Sequence, residues 1–319
     1  MDLITSPFGA FTPAREVVAG KDLTGRTAIV TGGATGIGIE TARALAEAGA
    51  DVVIAARKPD LAEAAVADIA ATAKGKVSWE MLDLSSLASV RAFAERWGTR
   101  PLHMLVNNAG VMACPQGYTE DGLEMQVGTN HFGHYLLAVL LAPALEAGAK
   151  GAGKPSRVVS LSSIGHRRSG VTFEDPHFRD RPYDKWEAYG QAKTANSLFA
   201  VGFDRRYKGR GIRANAVMPG GIMTPLQRHM SREEQMAMGW INEQGEVRAG
   251  FKTPEQGAST SVWAAVGEEL EGVGGLYLEN CAQAGPWSQD APWQGVMPHA
   301  LDAEAADRLW ALSVETTGS

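Results

Sequence analysis

Apolar residues recur along this chain in short continuous runs, separated by longer stretches of helical period. The runs at 27–31, 51–56, 77–82, 102–107, 157–161 and 212–217 read as strands, with a last short one near 275–278. Between them 36–48, 61–73, 87–97, 120–146 and 188–207 read as helices, the alanine-rich 61–73 by propensity alone. Strands that are apolar throughout must be covered on both faces, which favours parallel pairing. The repeated strand–helix unit therefore predicts an α/β, Rossmann-like, doubly wound fold: a mostly parallel seven-stranded sheet with helices on both faces. Residues 1–24, punctuated by Pro7, Gly9 and Pro13, read as an irregular N-terminal extension, and 25–319 as one domain. The alternation breaks near 165–187, 220–254 and 281–299. Each break follows a strand, at the sheet end where open α/β folds bind ligands, so these are expected to be substrate-side insertions. A short amphipathic helix at 302–314 is expected to close the domain.

Charge and composition narrow the classes. The formal charge is −6 and no long basic run occurs, which argues against nucleic acid or an anionic membrane as partner. No stretch reaches about 18 uninterrupted apolar residues, and the first twenty lack the marks of a signal peptide. A cytoplasmic protein without a membrane anchor is expected. Cys114 and Cys281 stand far apart, and no zinc-spaced cluster is visible, so no metal is expected.

The first strand ends in Thr31-Gly32-Gly33-Ala34-Thr35-Gly36-Ile37-Gly38. Glycines between a strand and a helix let the backbone turn sharply and approach a pyrophosphate, which the helix N-terminus then attracts. Ile39 and Glu40 follow the last glycine where a P-loop would have Lys and Ser or Thr, which disfavours kinase or GTPase chemistry. The second strand ends in Arg57 and Lys58, where a NAD site usually offers an acid to the adenosine ribose. A guanidinium suits a ribose 2′-phosphate, so NADP(H) is preferred over NAD(H). Asp83 and Leu84 are placed for adenine, although Asp83 equally fits a helix cap. Asn107, Asn108, Ala109 and Gly110 end the fourth strand, with small residues against the nicotinamide-side ribose and asparagines that brace the sheet.

Ser162 and Ser163 end the fifth strand, and Tyr189 and Lys193 follow one helical turn apart. A nearby ammonium favours phenolate and makes tyrosine a usable base. In the reverse sense the phenol donates its proton to a developing alkoxide, and the Ser163 hydroxyl steadies that oxygen. Asn130, inside the long helix, could kink it and hold a relay water near Lys193, or could simply pack. Taken alone, Tyr189 and Lys193 fit a surface helix pair; the glycine turn is what gives them a chemical reading.

These pieces together resemble the short-chain dehydrogenase/reductase superfamily in its classical-like form. The resemblance implies Asn130, Ser163, Tyr189 and Lys193 as catalytic tetrad, Tyr189 as acid/base, and transfer of the pro-S hydride. It implies cofactor contacts from Gly32, Thr35, Gly36, Ile37 and Gly38, from Asn108, Ala109 and Gly110, and from Pro219, Gly220, Ile222 and Thr224, with Thr224 on the nicotinamide amide. Tyr189 and Lys193 would also touch cofactor. Asn107 to Met112, Asn130-His131-Phe132-Gly133-His134 and Ala188 to Asn196 are similar to the retinol dehydrogenase and WW-domain-containing oxidoreductase branch. In such proteins the long helices commonly form a homodimer or homotetramer.

The expected activity is reversible hydride transfer between NADP(H) and a moderately hydrophobic ketone, aldehyde or alcohol. Candidate substrate contacts are Met112, Cys114, Ser163, His166, Trp186, Tyr189 and Met223, with Phe173, Met218, Trp240 and Trp287 as further apolar candidates. Each fits core packing equally well, and His166 also fits a surface loop. The alternatives are an imine or activated-alkene reductase on the same scaffold, and a weakly catalytic cofactor-binding regulatory or interaction protein.

Overall fold

The computed structural model describes residues 2–319. After a short helix α1 (Ala14–Val17), strands and helices alternate: β1 (Thr27–Thr31), α2 (Gly36–Glu47), β2 (Asp51–Ala56), α3 (Pro59–Ala70), β3 (Val77–Met81), α4 (Leu87–Trp97) and β4 (Met104–Asn107). The second half holds α5 (Met125–Val127), a π-helical turn (Gly128–Phe132), α6 (Gly133–Leu140), α7 (Ala142–Ala152), β5 (Ser156–Leu161), α8 (Lys185–Tyr207) and β6 (Ile212–Met218). Then come α9 (Arg232–Ala237), α10 (Pro254–Val266), β7 (Tyr277–Glu279), β8 (Ala282–Gln283) and α11 (Ala303–Thr317). The sheet order is β3-β2-β1-β4-β5-β6-β7-β8. All pairs are parallel except β7 with β8. The order reverses between β1 and β4, which opens a crevice at the carboxyl ends of the central strands.

Alternation along the strands divides the core. Val30 and Ile54 pack with Leu45 of α2, Ile69 of α3 and Trp263 of α10 on one face. Ile29, Val53 and Leu105 pack with Phe93 of α4, Leu136 of α6 and Phe203 of α8 on the other.

Three differences from the sequence reading have local causes. The sheet has eight strands, not seven: Asn280 and Cys281, both at positive φ (51° and 58°), turn the chain back so that Leu278 pairs Gln283. A two-residue loop with both φ positive matches the right-handed strand twist. Backbone from the N-terminal extension covers this new edge, with the Gln283 N–H donating to the Ile4 carbonyl (2.7 Å).

The helix expected at 120–146 is broken instead. Glu124 caps α5 by accepting from the Gln126 and Val127 N–H groups, and the π turn follows. Pro143 in the first turn of α7 stops α6, and the axis bends by 54°. No single helix among the described residues is long and apolar enough to cross a membrane.

The helix surface offered to a second copy is covered within the chain. Leu309 and Ala306 of α11 pack on Ala195 and Leu198 of α8, and Trp310 stands edge-on to Tyr135 at 5.0 Å.

Candidate active site

A cleft of about 1180 Å³ lies over the carboxyl ends of the strands. Its floor at one end is the turn after β1. Gly32 and Gly36 take positive φ there (64° and 58°), which a side chain would strain. Thr35 precedes α2 without a capping bond from its side chain, so the first-turn N–H groups are left for a ligand in the cleft. Gly38 sits behind the turn, not on the cleft wall. A Cβ there would stand 2.3 Å from the Gly32 carbonyl oxygen, so this glycine keeps helix and turn in contact. The fit to a dinucleotide pyrophosphate is therefore backbone to ligand, with the glycines clearing the space.

Arg57 and Lys58 line the cleft past β2. Arg57 Nη1 stands 3.7 Å from Asp83 Oδ2, with much of its side chain exposed. Asp83 Oδ1 accepts from the Ser85 N–H (2.9 Å) and hydroxyl (2.6 Å). Ser86, not Asp83, caps α4. Leu84, Asn108, Ala109 and Gly110 also line this wall. Asn108 Nδ2 braces the turn by donating to the Thr31 carbonyl (2.8 Å), whereas the buried Asn107 amide has no partner for either atom.

Ser163, Tyr189 and Lys193 meet on the floor. β5 delivers Ser163, whose Oγ accepts from the Gly165 N–H (3.0 Å) and lies beside the Tyr189 side chain at Gly165. The register of α8 brings Tyr189 and Lys193 to one side, with Lys193 Nζ 5.6 Å from the phenol ring centre. Lys193 donates to the Leu161 carbonyl (2.9 Å). Burial pushes Tyr189 up to about 12, against the opposing pull of the nearby Ser163 hydroxyl, and Lys193 down to about 8. Desolvation therefore favours the protonated phenol, the form that can donate to a developing alkoxide. Asn130 holds Val111 at both ends, accepting from its N–H (2.8 Å) and donating to its carbonyl (2.9 Å). The kink expected at Asn130 is the π turn itself.

The sequence reading gave His134 no chemistry, yet it ties the two halves of the site. Thr31 Oγ1 accepts from the Asn108 and Ala109 N–H groups (2.9 and 3.0 Å), which leaves its own proton for His134 Nε2 (2.8 Å). Nδ1 then carries the ring proton and donates to the Asn130 carbonyl (2.9 Å). Burial pushes this histidine down to about 4, which fits the neutral ring the bonds require.

Several candidates fall elsewhere. His166 is buried, not in a surface loop. Its Nδ1 reaches the Ser163 carbonyl (2.7 Å) and Nε2 accepts from the Met297 N–H (3.0 Å), so it props the turn beneath Ser163. Cys114 lies outside the cleft wall, with burial raising its thiol pKa. Met223, Phe173 and Trp287 also lie off the wall, whereas Met112, Trp186, Met218 and Trp240 line it. Pro219, Gly220 and Ile222 line it as well. Thr224 does too, but its hydroxyl accepts from the Leu226 N–H (3.3 Å) within a capping box. The segment after β6 adds Leu226, Met238 and Phe251 to the apolar wall. No metal-binding cluster occurs among the described residues.

A family model described as short chain dehydrogenase matches residues 26–235. A "Probable oxidoreductase" of Streptomyces lividans is 50% identical over 300 residues, covering 92% of this chain and 98% of its own. Human retinol dehydrogenase 13 is 38% identical over 320 residues, 97% of this chain and 88% of its own. Among solved structures, the complex of Pseudomonas aeruginosa RhlG with NADP is similar with a TM-score of 0.63 and 26% identity, covering 84% of this chain and 97% of that one.

Proposed function

The chain belongs to the short-chain dehydrogenase/reductase family near its retinol dehydrogenase branch, as an NAD(P)-dependent oxidoreductase, and on that premise we propose reversible hydride transfer between NADP(H) and a moderately hydrophobic ketone or aldehyde or its alcohol. The observation that carries this reading is the buried Tyr189 side chain, beside Ser163 and neighboured by Lys193, in the same cleft as the glycine turn.

The turn from Gly32 to Ile37 holds the pyrophosphate through backbone N–H groups. Ala109, Gly110 and Lys193 take the nicotinamide-side ribose, and Pro219 to Thr224 the nicotinamide edge. When bound, the cofactor supplies or accepts the hydride. Tyr189 donates its phenolic proton to the oxygen of a carbonyl substrate as that oxygen gains charge. Ser163 donates a hydrogen bond to the same oxygen, worth far more in a water-poor cleft than in solvent. Lys193, held by Leu161, favours the phenolate left behind and so eases its reprotonation. Asn130 acts as a positioning residue, since its side chain is spent on Val111.

The NADP preference rests on Arg57 and Lys58 at the end of β2, where a carboxylate would be needed for the ribose of NAD. Cofactor titration tests it. NADPH is expected to bind at least about tenfold more tightly than NADH, the scale of one charge-assisted contact, and Arg57→Gln to remove most of the difference. Equal affinities in the wild type would refute the preference.

A further inference from the structure

The cleft walls carry more positive charge than the proposed cofactor needs. Arg57, Lys58, Arg167, Arg168, Arg228 and Arg248 line it, besides Lys193, and Asp83 is the one carboxylate on the walls among the described residues. This occurs in a chain of net charge −6. The cations fall into groups. Arg57 and Lys58 follow β2, whereas Arg167 and Arg168 follow β5 in the 3-10 turn Ile164–Arg168 that starts at Ser163. In the sheet order β2 and β5 are three strands apart, which separates the groups by roughly 14 Å at about 4.8 Å per strand. One 2′-phosphate cannot engage both. Arg228 belongs to the segment whose Thr224 packs near Gly36, on the pyrophosphate side.

Arg167, Arg168 and Arg248 therefore need another explanation. None makes an ion pair among the described residues, while Arg57 stands beside Asp83. Arg167 Nε donates only to the Ile164 carbonyl (3.3 Å), and its guanidinium lies over Trp287 (5.4 Å). Arg248 lies over Trp293 (4.9 Å). Both indoles belong to one loop, closed where the Trp287 N–H donates to the Val296 carbonyl (3.1 Å). Arg168 reaches over Trp186 (5.3 Å), whose ring stands edge-on to Tyr189 at 6.3 Å. Glu234, which meets the same indole, is taken by Lys185 (2.7 Å) and the Trp186 indole N–H (3.0 Å). Arg167 is half-buried and Arg168 beside it is exposed, neither with an ion-pair partner among the described residues, so an anion at the cleft can be joined by both guanidiniums. Met112, Leu226, Met238 and Trp240 pack with Trp186 and Tyr189 as an apolar wall around the reacting phenol.

We propose that the substrate is an apolar carbonyl compound or alcohol that carries an anionic head group, a carboxylate or phosphate, held by Arg167 and Arg168 with Arg248 on the facing lip. This rests on the hydride-transfer reading for its chemistry, but the anion site stands on its own geometry. The arginines set which end of the molecule stays at the mouth, and the apolar wall carries the chain inward to Tyr189.

The test uses the full chain with saturating NADPH. A medium-chain keto acid, its methyl ester and the matched keto phosphate are compared in the wild type and in the double variant Arg167→Gln/Arg168→Gln. Decanoate and decyl phosphate are titrated calorimetrically as unreactive probes. An anionic substrate is expected to show a KM at least about tenfold below that of the ester, with similar kcat, and the double variant to erase that gap. The acid and the phosphate arms decide between carboxylate and phosphate. Equal KM for acid, phosphate and ester in the wild type overturns the anion site and leaves hydride transfer standing. Probe binding that the double variant abolishes, with no turnover of any carbonyl, keeps the anion site and sinks the hydride-transfer reading. Probe binding unchanged by the double variant also overturns the proposal.

Discussion

Acid should dismantle this protein through three buried histidines. His131, His134 and His166 are all buried, and burial lowers them from 6.5 to about 3, 4 and 4. Unfolding frees each to titrate near 6.5, so the unfolded chain takes up protons that the native state refuses. Stability is then full above about pH 6.5 and is lost as pH falls from there toward 4. At pH 5 each histidine contributes a loss of about 2 kcal/mol, or about 6 kcal/mol together, an upper figure set against a typical total of roughly 5–15 kcal/mol. Glu124 and Glu279, which burial raises, work in the opposite sense and trim that figure. The loss should reach the active site, because His134 joins Thr31 to Asn130 and His166 props Ser163. Urea unfolding at several pH values between 8 and 5 measures it, and the slope against pH gives the proton uptake, expected to approach three. His131→Gln should remove about a third of the acid-dependent part, whatever it does to stability at pH 8. A change under about 2 kcal/mol between pH 8 and 5, or an uptake below one proton, would refute the reasoning.

Other consequences follow from single positions. Gly38→Ala places a Cβ 2.3 Å from the Gly32 oxygen and 2.6 Å from Asn108 Nδ2, so the turn must shift. A loss of about 1–3 kcal/mol and weaker NADPH binding are expected by calorimetry and thermal melting; wild-type values for both would contradict the packing role. His134→Leu leaves the Thr31 hydroxyl with only the long contact to the Val106 carbonyl (3.4 Å) and takes one donor from the Asn130 carbonyl, and should cost about 1–3 kcal/mol in urea unfolding. A cost within about 0.5 kcal/mol would mean that the bridge carries no weight.

The alternating strands and helices were legible because continuous apolar runs and helical period are local signals. The glycine turn and the Tyr189–Lys193 pair were legible because each is a local pattern, whereas Ser163, in a different element, joined them through the family resemblance. What escaped was decided by tertiary contact. β8 is only two residues long, too short for any period, and exists because Asn280 and Cys281 turn the chain onto β7. The break in the helix after Glu124 comes from a side-chain cap and Pro143, against an apolar pattern that runs straight through. His166 and His134 look like any polar residue near a loop or helix, and their partners, Met297 and Thr31, are remote in sequence. The desolvation that raises the Tyr189 phenol is set by its surroundings, which spacing does not report. The paired arginines after Ser163 were visible as letters, but their lack of partners was not.

The most direct test of the central claim follows the absorbance of reduced nicotinamide when wild-type protein and Tyr189→Phe meet NADPH and a panel of hydrophobic ketones and aldehydes. Wild type should oxidise NADPH only with a carbonyl present. The variant should bind NADPH normally and lose turnover by at least about 100-fold, the lower range for a positioned acid. Undiminished turnover in Tyr189→Phe would contradict the assignment of the proton to this phenol.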